Sequence, residues 1–170
     1  MNLLKPNIYQ KDIFSINYHK LLEKNIKNIL FDIDNTIAGG KEKTPNQKTI
    51  KLFKELKEKG FEIFIITNAL KKRAKRFANV LNVKTYHFSM KPLSHNYLRI
   101  LKDNNLKINE TVAIGDQIYT DIKGANRLGI KSILVDPISN HEFITSKINR
   151  LKEKRLIAKT NIIKKGEYYE

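Results

Sequence analysis

The stretch that most constrains this 170-residue chain is Asn28-Ile29-Leu30-Phe31-Asp32-Ile33-Asp34-Asn35-Thr36, an apolar segment that runs straight into two aspartates. Isoleucine, leucine and phenylalanine in succession leave no polar face. They fit a strand covered on both sides, as in a parallel sheet. Asp32 and Asp34 are two positions apart and leave an extended backbone on the same side. Carboxylates held that close repel unless a cation or a shared proton lies between them. An Asp-x-Asp-x-Thr pattern alone also fits loop capping, so its meaning depends on what stands at the ends of later strands.

Those strands follow in regular alternation with helices. Residues 1–27 read as a lead-in segment, with a short edge element over 8–14 and a short helix over 18–24. After the strand at 28–33, Thr44-Pro45-Asn46-Gln47 reads as a helix start, with Thr44 as N-cap, Pro45 first and Gln47 closing a capping box. That helix is expected to reach 59, with Ile50, Phe53 (or Leu52) and Leu56 as its apolar face and Gly60 as its stop. Further strands are expected at 61–67, 83–88, 111–114 and 130–135, and helices at 70–81, 93–103 and 121–128. The alternation predicts an α/β fold, a single doubly wound parallel sheet over a core at 28–137. Residues 138–170 add a basic helix over 141–159, whose stripe of Ile144, Ile148 and Leu151 is expected to dock on the domain. The tail beyond Thr160 carries no readable pattern.

In such a sheet, ligands bind beyond the carboxyl ends of the strands. The polar residues there are Asp32 and Asp34, Thr67 and Asn68, Lys91, and Asp116 with Asp121. Hard oxygen ligands without His or Cys favour Mg²⁺, which keeps several waters and pairs with substrate phosphate. Thr67-Asn68 precedes a helix whose first N–H groups suit a phosphate, and Lys91 adds a point charge. The set describes a phosphoryl-transfer site without a nucleotide P-loop. His19, His87, His95 and His141 show no metal-ligand spacing, and Asp136-Pro137 reads as a turn.

Asp32-Ile33-Asp34-Asn35-Thr36, Thr67-Asn68, Lys91-Pro92 and Gly115-Asp116-Gln117-Ile118-Tyr119-Thr120-Asp121 resemble, in order, the four motifs of the haloacid dehalogenase (HAD) superfamily. With Asn126-Arg127-Leu128-Gly129 and the basic C-terminal helix, the chain is similar to the YqeG-type class III phosphatases. These are in turn similar to phosphatidylglycerophosphate phosphatases. The resemblance implies a Rossmann-like domain in which Asp32 is the nucleophile and forms an aspartyl-phosphate. Asp34 would then be the acid/base, its backbone carbonyl helping Asp32 and Asp116 hold Mg²⁺. Asp121 would orient Lys91 or metal-bound water, and Thr67, the Asn68 amide and Lys91 would bind phosphate. Relatives that select small metabolites carry a cap domain between these motifs. Here 30 residues separate Thr36 from Thr67 and 22 separate Asn68 from Lys91, too few for one. An open site suits a large or surface-borne phosphomonoester.

Charge bears on which one. The chain holds 33 Lys and Arg against 17 Asp and Glu, a net of +16, which points to an anionic partner, lipid or nucleic acid. Lys71, Lys72, Arg73, Lys75 and Arg76 open a helix on the rim of the site, against its dipole, and read as an anion-binding cluster. There is no cysteine, hence no disulfide or thiolate chemistry. Pro6 interrupts what a signal peptide would need, and no apolar run approaches the ~20 residues of a membrane span. A cytoplasmic protein is expected, peripheral on a membrane surface. The favoured reading is a Mg²⁺-dependent phosphatase of phosphatidylglycerophosphate. The alternatives are a nucleic-acid-end phosphatase and an RNA- or ribosome-associated binding factor. Against both, aromatics are not interleaved with the basic runs as stacking platforms would be, Tyr168-Tyr169 aside.

Overall fold

A computed structural model describes residues 2–139, 144–160 and 162–170. Six parallel strands form one sheet in the order β1-β6-β5-β2-β3-β4. They are β1 (Ile8–Gln10), β2 (Asn28–Phe31), β3 (Glu62–Ile66), β4 (Lys84–Tyr86), β5 (Thr111–Gly115) and β6 (Lys131–Val135). The helices are α1 (Tyr18–Glu23), α2 (Gln47–Glu58), α3 (Lys71–Leu81), α4 (His95–Asp103), α5 (Lys123–Asn126) and α6 (Ile144–Thr160).

Alternation along β2 sends side chains to opposite faces, and both faces are covered, as its unbroken apolar run requires. Ile29 and Phe31 enter a core with Phe53 and Leu56 of α2 and Phe77 and Leu81 of α3. Leu30 enters a second core with Tyr97 and Ile100 of α4 and Ala125 of α5. Full burial of each such side chain contributes about 1.5–3 kcal/mol, so the two cores hold β2 rigidly in mid-sheet. From β2 the chain runs outward through β3 and β4, then returns to build β5 and β6 on the other side. The order therefore reverses between β2 and β5, and their carboxyl ends flank the cleft that this reversal opens.

Several local expectations shift. The cap of α2 is Asn46, not Thr44: the Asn46 side chain accepts from the N–H of Thr49 at 2.9 Å, and the helix starts at Gln47. Asn caps as well as Thr, and Asn46 is the residue placed to reach that donor. The helical stretch expected from Asp121 begins three residues earlier, as a π-helical turn over Ile118–Ile122 that leads into α5.

The stripe on α6 is corrected more substantially. Ile148 and Leu151 face solvent, about half exposed, and the side chain of Ile144 lies outside the described residues. The helix docks instead through the buried Glu153 and through Leu156 and Ile157, which join Tyr9, Ile118, Ile122 and Leu134. The face is set by what lies beneath it: an apolar pad with two backbone donors at its edge. The tail then folds back. Tyr169 forms an antiparallel bridge with Tyr9, and the Tyr9 and Tyr168 hydroxyls donate to the two carboxylate oxygens of Asp136 at 2.6 and 2.5 Å. Tyr168 and Tyr169 thus serve as a staple, packed on the Tyr9 ring with centroids 5.0 and 6.3 Å away. Asp136 anchors them. Among the described residues, no helix is long and apolar enough to cross a membrane.

Candidate active site

Asp32 follows β2 directly, its N–H donating to the Ile114 carbonyl at 3.0 Å and so continuing the ladder with β5. Its carboxylate is buried at the switch point. Asp116 follows β5 and Asp121 lies on the π-helical turn; carboxylate oxygens of Asp32, Asp116 and Asp121 all fall within 4.8 Å of one another. Three buried acids need cations. One is Lys91, whose Nζ donates to Asp32 Oδ1 at 2.6 Å, Asp121 Oδ1 at 2.5 Å and the Ile66 carbonyl at 3.1 Å. All three of its donors are thereby engaged.

Burial pushes Asp32 up to about 7, Lys91 opposes this, and repulsion from Asp121 and Asp34 adds to it. Burial alone would lower Lys91, but Asp121 and Asp32 outweigh that and hold it above the ordinary lysine value. Among the described residues, the Lys91 ammonium bonds two of these three carboxylates, and the oxygens of all three lie close enough to share a divalent cation. An all-oxygen donor set suits Mg²⁺. On both counts the residues fit a bound Mg²⁺.

The turn that carries Asp121 is shaped for it. A Cβ on Gly115 would fall 2.2 Å from the Asp121 Cγ, so only glycine admits that carboxylate. Asp121 Oδ2 also accepts from the Gln117 N–H at 3.1 Å. Thr36 donates through its hydroxyl to Asp116 Oδ1 at 3.3 Å, which ties the first aspartate loop to β5.

Thr67 follows β3 directly, fully buried, and its hydroxyl accepts from the Ala69 N–H at 3.1 Å. Asn68 spends its side chain on the loop opposite, accepting from the Lys91 N–H at 2.8 Å and donating to the Lys91 carbonyl at 3.4 Å. It thereby holds the backbone of the residue whose ammonium bonds Asp32. Helix α3 starts at Lys71, after Leu70 as an N-cap without a side-chain bond.

Asp34 departs from the carboxylate cluster. Its Oδ1 accepts from Arg73 Nε at 2.8 Å, and the same guanidinium donates to the carbonyls of Gly39, at 3.1 Å, and of Glu42. Arg73 is therefore a clamp between Asp34 and the loop that follows it. Arg76 reaches the Lys43 carbonyl of the same loop at 3.4 Å. The cationic cluster read as uniform divides: Arg73 and Arg76 bind the protein, whereas Lys71, Lys72 and Lys75 are exposed. Sequence reasoning also missed Glu153. Its Oε1 accepts from the N–H groups of Ile118 at 2.6 Å and Tyr119 at 3.3 Å, capping the turn that bears Asp121 from the far end of the chain. The only sequence signal for it is a lone acid within a run of basic residues.

Residues 37–129 match the sequence model of the haloacid dehalogenase-like hydrolase family. The chain is 33% identical over 153 residues to the probable phosphatase YqeG of Bacillus subtilis, covering 90% of this chain and 89% of that protein. It is 24% identical over 159 residues to the chloroplastic/mitochondrial phosphatidylglycerophosphate phosphatase 1 of Arabidopsis thaliana, covering 86% of this chain but 45% of that protein. Among solved structures, a magnesium complex of a HAD family enzyme from Bacteroides thetaiotaomicron superposes with a TM-score of 0.56 at 13% identity, over 68% of this chain and 96% of that one. At that identity the likeness concerns the fold.

Proposed function

The chain belongs to the haloacid dehalogenase-like hydrolases and is a phosphatase; on that premise we propose that it is Mg²⁺-dependent and hydrolyses a lipid-borne phosphomonoester through an aspartyl-phosphate on Asp32. The observation that carries the mechanism is the Asp32 carboxylate, fixed at the switch point with Lys91 Nζ at 2.6 Å. Asp32 attacks phosphorus and the bond to the leaving oxygen breaks. Asp34 gives that oxygen its proton, then takes one from the water that cleaves the aspartyl-phosphate. Splitting one displacement into two lowers each barrier. The Thr67 hydroxyl and N–H groups at Asn68 hold the non-bridging oxygens, where charge is spread in the transition state, and Lys91 binds the phosphate through the charge of its ammonium rather than a free donor. Bound by Asp32, the Asp34 carbonyl and Asp116, Mg²⁺ would supply charge neutralisation between nucleophile and phosphate. Asp121 keeps Lys91 in place.

For the substrate, support comes from three directions: an uncapped site, a net charge of +16, and similarity to a phosphatase of phosphatidylglycerophosphate. The experiment is phosphate release from phosphatidylglycerophosphate, from 5′-phosphorylated RNA and from soluble phosphomonoesters, side by side with Mg²⁺. The expected result is the highest kcat/KM on the lipid. Preference for the RNA end would replace this substrate with a nucleic acid.

A further inference from the structure

Residues 63–102 contain nine Lys or Arg and no Asp or Glu. This acid-free stretch builds the β3–β4 side of the sheet and both loops that hold Thr67, Asn68 and Lys91. It also exposes large apolar side chains on those loops: Leu70 at 67%, Phe88 at 58%, Met90 at 57% and Leu93 at 50%. The two loops are laced together, with the Phe88 N–H donating to the Ala69 carbonyl at 3.3 Å and the Lys91 N–H to Asn68 Oδ1 at 2.8 Å. Single exposed apolar residues are ordinary on a surface; four on two joined loops beside a catalytic cleft form a patch.

The local backbone argues that these residues are kept for a purpose. Phe88 and Met90 adopt φ values of +52° and +46°, a region that bulky side chains avoid and Asn tolerates. Leu70 is the N-cap of α3 and makes no capping bond, where Ser or Asp would stabilise the helix. At three neighbouring positions the fold would gain from a small polar residue, yet a large apolar one stands exposed. Residues that contradict local preference without packing in compensation mark a functional surface.

From this surface we infer that the loops at 68–72 and 88–93 are a docking face for an anionic lipid bilayer, which sets the active site against the membrane. Leu70, Phe88, Met90 and Leu93 enter the boundary between headgroups and acyl chains, and exposed Lys71, Lys72 and Arg127 lie over the headgroups. Arg127 sits at this face because its guanidinium donates to the Pro92 carbonyl at 3.0 Å. Nucleic acid fits less well, since only Phe88 of the four could stack on a base. A second copy of a chain carrying +16 is repelled from so basic a face. The inference rests on the lipid reading of the substrate but is separable from it.

The test uses cosedimentation with phosphatidylcholine vesicles, with and without phosphatidylglycerol, for the full chain and for Leu70→Ser/Phe88→Asn/Met90→Asn. Each replacement is one the local backbone favours, so the variant should melt no lower than the parent. The parent should bind only the anionic vesicles, and the variant should bind them at least ~10-fold more weakly while hydrolysing a soluble phosphomonoester at the parental rate. Equal vesicle binding by parent and variant overturns the docking face, as does RNA binding that vesicles fail to displace. Docking without hydrolysis of vesicle-borne phosphatidylglycerophosphate sinks the substrate and leaves the face standing. Hydrolysis of that lipid in detergent by a parent that never sediments with vesicles does the reverse.

Discussion

Truncating Glu153 to alanine tests whether α6 belongs to the working enzyme or merely trails it. The carboxylate accepts from the Ile118 N–H at 2.6 Å and from the Tyr119 N–H at 3.3 Å. Its side chain is buried, so water cannot replace it freely. A buried donor left unsatisfied costs about 1–3 kcal/mol, and the longer contact belongs at the low end, giving ~2–4 kcal/mol in total. In a chain of this size, 1 kcal/mol moves Tm by ~2–4 °C, so Glu153→Ala should melt ~5–15 °C lower by calorimetry. Glu153→Gln keeps an acceptor oxygen and loses only the charge, so its loss should be ~1 kcal/mol. Because the uncapped turn carries Asp121, the alanine variant should also lose ~10–100-fold in kcat on a soluble phosphomonoester below its melting range. A Tm within ~1 °C of the parent's, with unchanged kcat, would refute the argument that the C-terminal helix secures the catalytic turn.

Asp32→Asn should fold normally and lose turnover by several orders of magnitude in single-turnover assays, because the covalent step has no substitute nucleophile. Arg73→Ala should lower kcat by ~10-fold or more, and Arg73→Lys should not restore it, since one ammonium cannot serve the planar set of acceptors at Asp34, Gly39 and Glu42. Gly115→Ala should abolish activity and lower Tm, as its Cβ would lie 2.2 Å from Asp121 Cγ; a crystal structure with Asp121 undisplaced would contradict this. Chelation should abolish phosphate release, Mg²⁺ should restore it, and Ca²⁺ should inhibit it through its looser coordination.

The sequence by itself determined the parts of this protein that depend on spacing along the chain. An apolar run with an aspartate pair at its end fits a central parallel strand opening on a polar cleft, and the polar residues at the ends of the later strands favour that over loop capping. The alternation after it dictates a doubly wound sheet, whose geometry gathers Asp32, Thr67, Lys91, Asp116 and Asp121 at one edge. Helix starts were legible to within a few residues, because competing caps such as Thr44 and Asn46 have nearly equal propensity and only the reach to the Thr49 N–H separates them. The tertiary structure decided what depends on meetings between remote segments. Arg73 looked like one cation among five until the fold set it against Asp34, 39 residues earlier. The docking face of α6 could not be read from its own pattern, because Ile148 and Leu151 are more apolar than Glu153. The surface beneath nevertheless offers Glu153 two backbone donors, and a buried donor outweighs an exposed aliphatic in deciding which side turns inward. Leu70, Phe88, Met90 and Leu93 form no pattern along the chain. Only φ values, burial and the bonds joining their loops set them together as one surface.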